Sequence, residues 1–310
     1  MPLYAIDGKK CLRLISEQPV RFEADIQGLV EANLDVIFGL KLVAHEFTVE
    51  GFTLDTVGFD EETKAFVIIE YKRDAGGSVI DQGWAYLSTM LNHRADFVLK
   101  YHEAVDRKLT RDQVDWSQSR VLFLTQRYTP YQVAAINFKD LPIELWRFSR
   151  FENGTLLLEQ IKPTATTASI RPLMRGREAR TVQATVEVRS VGDYAESLPK
   201  SLRELFETLE AAVKNELPDV SLKVGKGRLL MLKRRWATAC YLRPQQKALR
   251  LLARLPSVPD GNGLGTMRRV QPDDVFKVQA HLRASKDIRP ALELIKAAYQ
   301  ETARSLGEKG

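Results

Sequence analysis

Cysteine is scarce in this chain: Cys11 and Cys240 are the only two in 310 residues. Two thiols cannot staple a small domain, so a disulfide scaffold is excluded, and a reducing cytoplasm is the expected compartment. Histidine is nearly as rare. His45, His93, His102 and His281 stand in no Cys/His ligand spacing, which excludes a zinc finger. Long apolar runs are missing too. None approaches the ~18–20 residues that a membrane-spanning helix needs, and MPLYAIDGKKCLRL lacks the apolar stretch of a secretory signal. No G-x-x-x-x-G-K-[ST] occurs, so ATP-driven work would need another protein.

What is present is a globular composition, 44% hydrophobic and 28% charged. That suffices for two domains with real cores and rules out disorder over the whole length. The net charge of +6 hides a split. Residues 1–160 carry 18 Lys/Arg against 24 Asp/Glu, a net of −6; residues 161–310 carry 28 against 16, a net of +12. An acidic half suits holding cations and a basic half suits tracking a polyanion; a merely solvated basic face is the plain alternative.

The first half mixes helices and strands. Phe22, Ile26, Leu29, Val30, Leu34, Ile37 and Leu40 recur at helical spacing, which predicts an amphipathic helix over about 21–38. HEFTVEGFTLDTVGF alternates and reads as a strand, DEETK as a turn, and KAFVIIEYK as a second, strongly apolar strand. After a break at Asp74–Ser78, SVIDQGWAYLSTMLNHRADFVL reads as one helix with Ser78 as its N-cap. A strand (RVLFLTQ), a short helix (YTPYQVAAINF) and two further strands (IELWRFSRF, TLLLEQI) follow. Residues 162–197, rich in Arg, Thr and Pro, read as a linker or extended arm between domains at 1–161 and 198–310. In the second domain, SLRELFETLEAAVKNEL is a helix with Ser201 as its expected cap. VSLKV, RLLMLK, ATACYLR and ALRLLARL form an antiparallel meander, 276–284 is ambiguous, and ALELIKAAYQETARSL closes the chain as a helix.

The chemistry concentrates on the first hairpin. Side chains alternate along a strand, so Glu70 and Lys72 share a face while Tyr71 points away. A turn at Asp60–Thr63 brings Asp55 within about one pair of Glu70. Two carboxylates hold Mg²⁺ while leaving room for a phosphate oxygen and water, and a lysine beside them offsets charge that grows on phosphate. The plain alternative is surface charge with an ion pair.

Asp55, a short hairpin and Glu70-Tyr71-Lys72 together resemble the PD-(D/E)xK nuclease superfamily, although Thr53-Leu54-Asp55 lacks its leading proline. An acid-bearing helix precedes the hairpin. Behind it, Gln82-Gly-Trp-Ala-Tyr86 resembles the Q-x-x-x-Y motif of RecB-like nucleases, and EANLDVIFG resembles the opening of NucS-like domains. The resemblance spans about residues 20–160. The C-terminal part is similar to a small domain of unknown function that follows such nuclease-like domains. The resemblance implies a restriction-endonuclease-like mixed sheet flanked by helices, followed by a small α+β domain. It implies Asp55, Glu70 and the Tyr71 carbonyl as ligands of Mg²⁺ or Mn²⁺, and Lys72 as the catalytic lysine. Gln82 would orient a ligand or the nucleic-acid backbone, and Tyr86 would stack or bond near the strand. Glu31 would support a ligand or a second metal, with Glu23, Asp25 and Asp35 on the same helix as rivals. His93 reads as a surface or core histidine.

In the basic half, Lys223, Lys226, Arg228, Lys233, Arg234, Arg235, Arg243, Lys247, Arg250 and Arg254 fall within one meander, interleaved with Trp236 and Tyr241. Leu249, Leu251, Ala253 and Leu255 would share one face, Arg250 and Arg254 the other. Such a face suits phosphate tracking with base stacking, with Lys233, Arg234, Arg235, Arg250 and Arg254 as contacts. The reading is therefore a Mg²⁺-dependent nuclease acting on DNA, with a basic module for nucleic acid or a partner and no membrane. A catalytically inactive binding or interaction module on the same fold is the rival. A homodimer or a protein partner stays open.

Overall fold

The computed structural model describes residues 2–8, 10–20, 23–72, 78–105, 108–138, 141–163, 190–225, 229–271 and 274–307. The chain divides into two units, Met1–Glu187 and Val188–Gly310. In the first, strands β1 (Leu3–Ile6) and β2 (Leu12–Ile15) pair with each other alone. There follow β3 (Glu17–Gln18), α1 (Glu23–Glu31), α2 (Leu34–Phe38), β4 (Leu40–Val49), β5 (Phe52–Asp60) and β6 (Ala65–Lys72). Then come α3 (Val79–Asn92), α4 (Arg94–Ala104), β7 (Arg120–Thr125), α5 (Pro130–Ala135), β8 (Ile143–Phe151) and β9 (Leu156–Ile161).

Their sheet runs β3-β8-β7-β6-β5-β4, with β9 also on β8. The central strands β6, β7 and β8 are parallel, and the outer pairings are antiparallel. Parallel neighbours need crossovers, which α3–α4 and α5 supply. Burial on both faces explains why β6 is apolar almost throughout: Ala65–Tyr71 are all buried. Val67, Ile69 and Tyr71 pack with Ile26, Val30 and Leu34 of α1 and α2 on one face. On the other face α3 lies against Phe123 and Ile143.

Several elements break where one was expected. The helix of 21–38 is two, because the Asn33 side chain donates to the Leu29 carbonyl at 2.8 Å and competes with the helical ladder; positions 21 and 22 lie outside the described residues. The strand of 45–59 is a hairpin. Glu50 and Gly51 both take positive φ, +46° and +81°, between the paired Val49 and Phe52, as a two-residue hairpin turn requires. The helix of 78–99 is interrupted at His93, while Ser78 caps α3 by accepting the Asp81 N–H at 3.2 Å.

The second unit holds α6 (Val191–Glu196), α7 (Lys200–Glu216), β10 (Ser221–Gly225), β11 (Leu229–Arg234), β12 (Ala237–Pro244) and β13 (Leu249–Ala253), then β14 (Thr266–Met267), β15 (Val278–Leu282) and α8 (Ile288–Ser305). Its sheet, β10-β11-β12-β13-β15-β14, is antiparallel throughout. Leu242, Leu249, Leu251, Ala280 and Leu282 share a core with Leu205 and Leu209 of α7 and Leu294 and Ile295 of α8. Of the expected arm, 164–189 lie outside the described residues. Residues 191–196 are helical instead, and Tyr194 is buried in the second core. Ser201 does not cap α7, which starts one residue earlier behind Pro199. The ambiguous 276–284 contains β15, paired with β13. The chain is thus a mixed α+β protein, a mixed sheet flanked by helices, as the resemblance implied, plus a separate antiparallel-sheet domain, as the patterning led us to expect.

Candidate metal and active site

The β5–β6 hairpin places the acids. Its ladder pairs Thr56 with Ile69, so the next step sets Asp55 across from Glu70. Asp55 Oδ2 accepts the Tyr71 N–H at 2.9 Å, tying the carboxylate to the opposite strand. Glu70 is 4% exposed. Its Oε1 accepts from Lys72 Nζ at 2.8 Å and from Gln82 Nε2 at 2.7 Å. Its Oε2 is buried and has no hydrogen-bond partner. A buried acceptor left bare costs about 1–3 kcal/mol.

Asp55 feels the same crowding. Burial, and then the negative charge of Glu70, push its pKa up to about 6, against the opposing pull of the Tyr71 N–H and Lys72. One ammonium does not neutralise two carboxylates. The group therefore fits a hard divalent cation, which takes oxygen ligands and would meet both the repulsion and the bare Oε2. The Tyr71 ring is buried on the other face, so this residue could reach such an ion only through its backbone carbonyl. Among the described residues, no cluster of three or more His, Cys, Asp or Glu is arranged to hold a metal.

Helix α3 completes the arrangement. Gln82 Nε2 also donates to the Tyr86 hydroxyl at 2.7 Å, and that hydroxyl lies 3.4 Å from the Thr53 carbonyl. Burial first, then the Glu70 charge, raises the Tyr86 pKa, which keeps the phenol protonated. Tyr86 is 5% exposed, so of its two expected roles, stacking or bonding near the strand, the buried ring favours bonding through the hydroxyl. The glycine of the Gln82–Tyr86 motif is structural. A Cβ at Gly83 would lie 2.5 Å from Ile143 Cδ1, so this glycine lets α3 approach closely enough for Gln82 to reach Glu70. A glycine inside a helix, ~1 kcal/mol worse than alanine, was the readable signal.

Glu31 is elsewhere. Thr56 alternates with Asp55 along β5, so its side chain faces away from the acid pair. Its hydroxyl donates to Glu31 and lies 3.3 Å from the Tyr71 hydroxyl. Gln27 Nε2 donates to Glu31 at 3.2 Å, and His45 Nδ1 lies 3.0 Å from Glu31 Oε2. That hydrogen bond, more than any other influence, raises the His45 pKa. Glu31 thus belongs to a network joining α1, β4 and β5, which reaches the backbone of Asp55 through Gln27, whose Nε2 also donates to the Asp55 carbonyl at 3.0 Å. Glu23, in the first turn of α1, is the helix acid whose charge acts on Asp55. Gln27, His45 and Thr56 carried no motif and were not anticipated. His93 pairs with Glu50 at 3.1 Å, a surface arrangement.

The basic half also differs in detail. Lys233 is buried at 7% exposure. A bulge shifts the β11–β12 register between Leu232 and Lys233, so alternation counted from Leu230 no longer gives its face. The Arg234 guanidinium lies 4.7 Å over the Tyr299 ring, and Arg235 sits exposed in the following turn. Lys233, Arg234 and Arg235 therefore differ in setting: the first is buried, the second lies over a ring and the third is exposed. Arg250 Nη2 donates to Gln279 Oε1 at 2.7 Å. Beyond β13 the Arg254 N–H reaches the Ala239 carbonyl at 2.9 Å. Tyr241 is half-buried against Phe276, ring centres 4.6 Å apart. Residues 226–228 lie outside the described residues. Among the described residues, no helix is long and apolar enough to cross a membrane.

A protein of Haemophilus influenzae, named only as uncharacterized, is 37% identical over 246 residues, covering 79% of this chain and 81% of that one. The chain belongs to the same family as that protein. Residues 191–302 match the model of a domain of unknown function, DUF5655, which coincides with nearly all of the second unit. A crystal structure of a repair endonuclease from Pyrococcus abyssi is 20% identical, with a TM-score of 0.21, over 37% of this chain and 42% of that one. The chain spans under half of that enzyme.

Proposed function

We propose that the first unit is a divalent-metal-dependent nuclease of the PD-(D/E)xK type that hydrolyses phosphodiester bonds of DNA, and that the basic second unit binds the nucleic acid. The observation that carries this reading is the bare, buried Oε2 of Glu70 beside a carboxylate whose ionisation it opposes. Asp55 and Glu70, with the Tyr71 carbonyl, would hold Mg²⁺ or Mn²⁺. Such an ion supplies a lowered pKa to coordinated water and charge compensation to phosphate. Lys72, anchored on Oε1 of Glu70, sets an ammonium where negative charge grows as water adds to phosphorus and the P–O ester bond breaks. Gln82 fixes which oxygen of Glu70 is engaged and which stays available, and Tyr86 holds Gln82 in turn.

A gel assay tests the reading. Wild-type protein should convert DNA to shorter products with Mg²⁺ or Mn²⁺ and not with EDTA, and Asp55→Ala should abolish this. If the wild type cleaves neither DNA nor RNA with either ion, the nuclease reading fails and the first unit is a non-catalytic module.

A further inference from the structure

On the second unit's sheet, β12, β13 and β15 set Arg243 opposite Arg250 and Arg250 opposite His281. We infer that this cross-strand row, Arg243–Arg250–His281, is a binding site for the phosphodiester backbone of nucleic acid. Alternation puts the three on the face turned away from the core, because their neighbours Leu242, Leu249, Leu251, Ala280 and Leu282 are buried in it. Like charges directly opposite on a sheet destabilise it. Even so, among the described residues neither arginine has an acidic partner. Gln279 holds Nη2 of Arg250, while Nε is buried with no acceptor. Gln279 therefore orients the guanidinium, and among the described residues no acid neutralises its charge. The histidine reports the field: burial first, then the charges of Arg283 and Arg250, lower its pKa.

The row spans two strand spacings, ~10 Å, about three axial rises of one duplex strand at 3.4 Å each. One step along the same face, Tyr241 and Phe276 set an aromatic pair beside the cations, the mixture that nucleic-acid grooves use. An arginine fork grips phosphate and carboxylate alike. The choice of nucleic acid over an acidic protein rests on the proposed function of the first unit.

Fluorescence anisotropy of the full-length chain in EDTA, with labelled single-stranded and duplex DNA across a salt series, tests the site without any cleavage. Arg243→Gln, at an exposed position, should flatten the slope of log K against log salt by ~0.7–0.9, and Arg243→Gln/Arg250→Gln by ~1.4–1.8. The double variant should lose at least tenfold in affinity. Arg235→Gln, off the row, should change both less than Arg243→Gln does. Unchanged slopes in both row variants overturn the inference, as does an equal effect of Arg235→Gln. A wild type that binds no DNA in EDTA overturns it too and leaves the row to an acidic protein. Failure of the nuclease reading is read separately, from Mg²⁺-dependent cleavage.

Discussion

Glu31 and Glu70 are the same residue type, both largely buried, serving opposite faces of one sheet. Glu31 is saturated: Thr56, Gln27 and His45 all reach it. Glu70 is served on one oxygen only, and its other oxygen is buried and bare. Folded proteins rarely leave a buried acceptor unmet. The contrast separates an acid that belongs to the scaffold from one that awaits a ligand, and it does so without reference to motif.

The sharpest way to break this contrast is through the group on the served oxygen. Lys72→Met should slow single-turnover cleavage in Mg²⁺ at least ~100-fold, the scale for losing one preorganised electrostatic group. DNA affinity measured in Ca²⁺ should move by less than tenfold, about 1.4 kcal/mol. Wild-type cleavage by this variant would make Lys72 an ordinary ion-pair partner. Next comes the metal: calorimetric titration with Mg²⁺ or Mn²⁺ should show binding to wild type, and a loss of at least tenfold in Asp55→Asn. Equal affinity would remove Asp55 from the ligand set.

The saturated acid should behave in the reverse manner. Glu31→Ala strands three polar partners and should destabilise the fold by about 2 kcal/mol, seen in denaturant melts, while cleavage per folded molecule stays within a few-fold of wild type. A hundredfold loss of rate in folded protein would return Glu31 to the chemistry. The smallest effect has an unusual sign. Folding raises the Asp55 pKa from 3.8 to about 6. Ionised Asp55 therefore weakens the metal-free fold above that pH, and the penalty disappears as pH falls through about 6 towards 4. Asp55→Asn should stabilise the metal-free protein at pH 7 by about 1 kcal/mol, after allowance for solvent screening, and should have little effect at pH 4. Destabilisation at pH 7 would show that the Tyr71 contact outweighs the repulsion.

The acid pair was legible because period-2 alternation and a recognisable turn fix which residues of a hairpin meet. Gln82 and Tyr86 were legible because four residues make one helical turn. The partners of Glu31 were not legible for a physical reason. Its partner on β5 is Thr56 rather than Asp55, and a shift of one residue along a strand exchanges the faces of the sheet. The Glu50–Gly51 turn was missed although the apolar parity shifts across it, from Phe47 and Val49 to Phe52 and Leu54, because both flanks are rich in strand-forming residues. The burial of Lys233 was not legible because it sits at a register shift between β11 and β12, and bulges leave little mark in a sequence. The cross-strand row of the second unit depends on strand order, which pairs β13 with β15 across an intervening segment that includes β14.

The parallel pairing of β6 with β7 has a consequence for the order of folding. Asp55, Glu70 and Lys72 lie within one short hairpin, and hairpins form in ~1–10 μs. The β6–β7 pair must wait for the chain through α3 and α4 to loop back, a non-local step that contact-order arguments make slow. The two carboxylates therefore meet while still wet, when their repulsion is screened. They lose water only when β7 and α3 close over them. The electrostatic cost of burying the two carboxylates therefore belongs to the packing of α3 and β7 against the hairpin rather than to the hairpin itself.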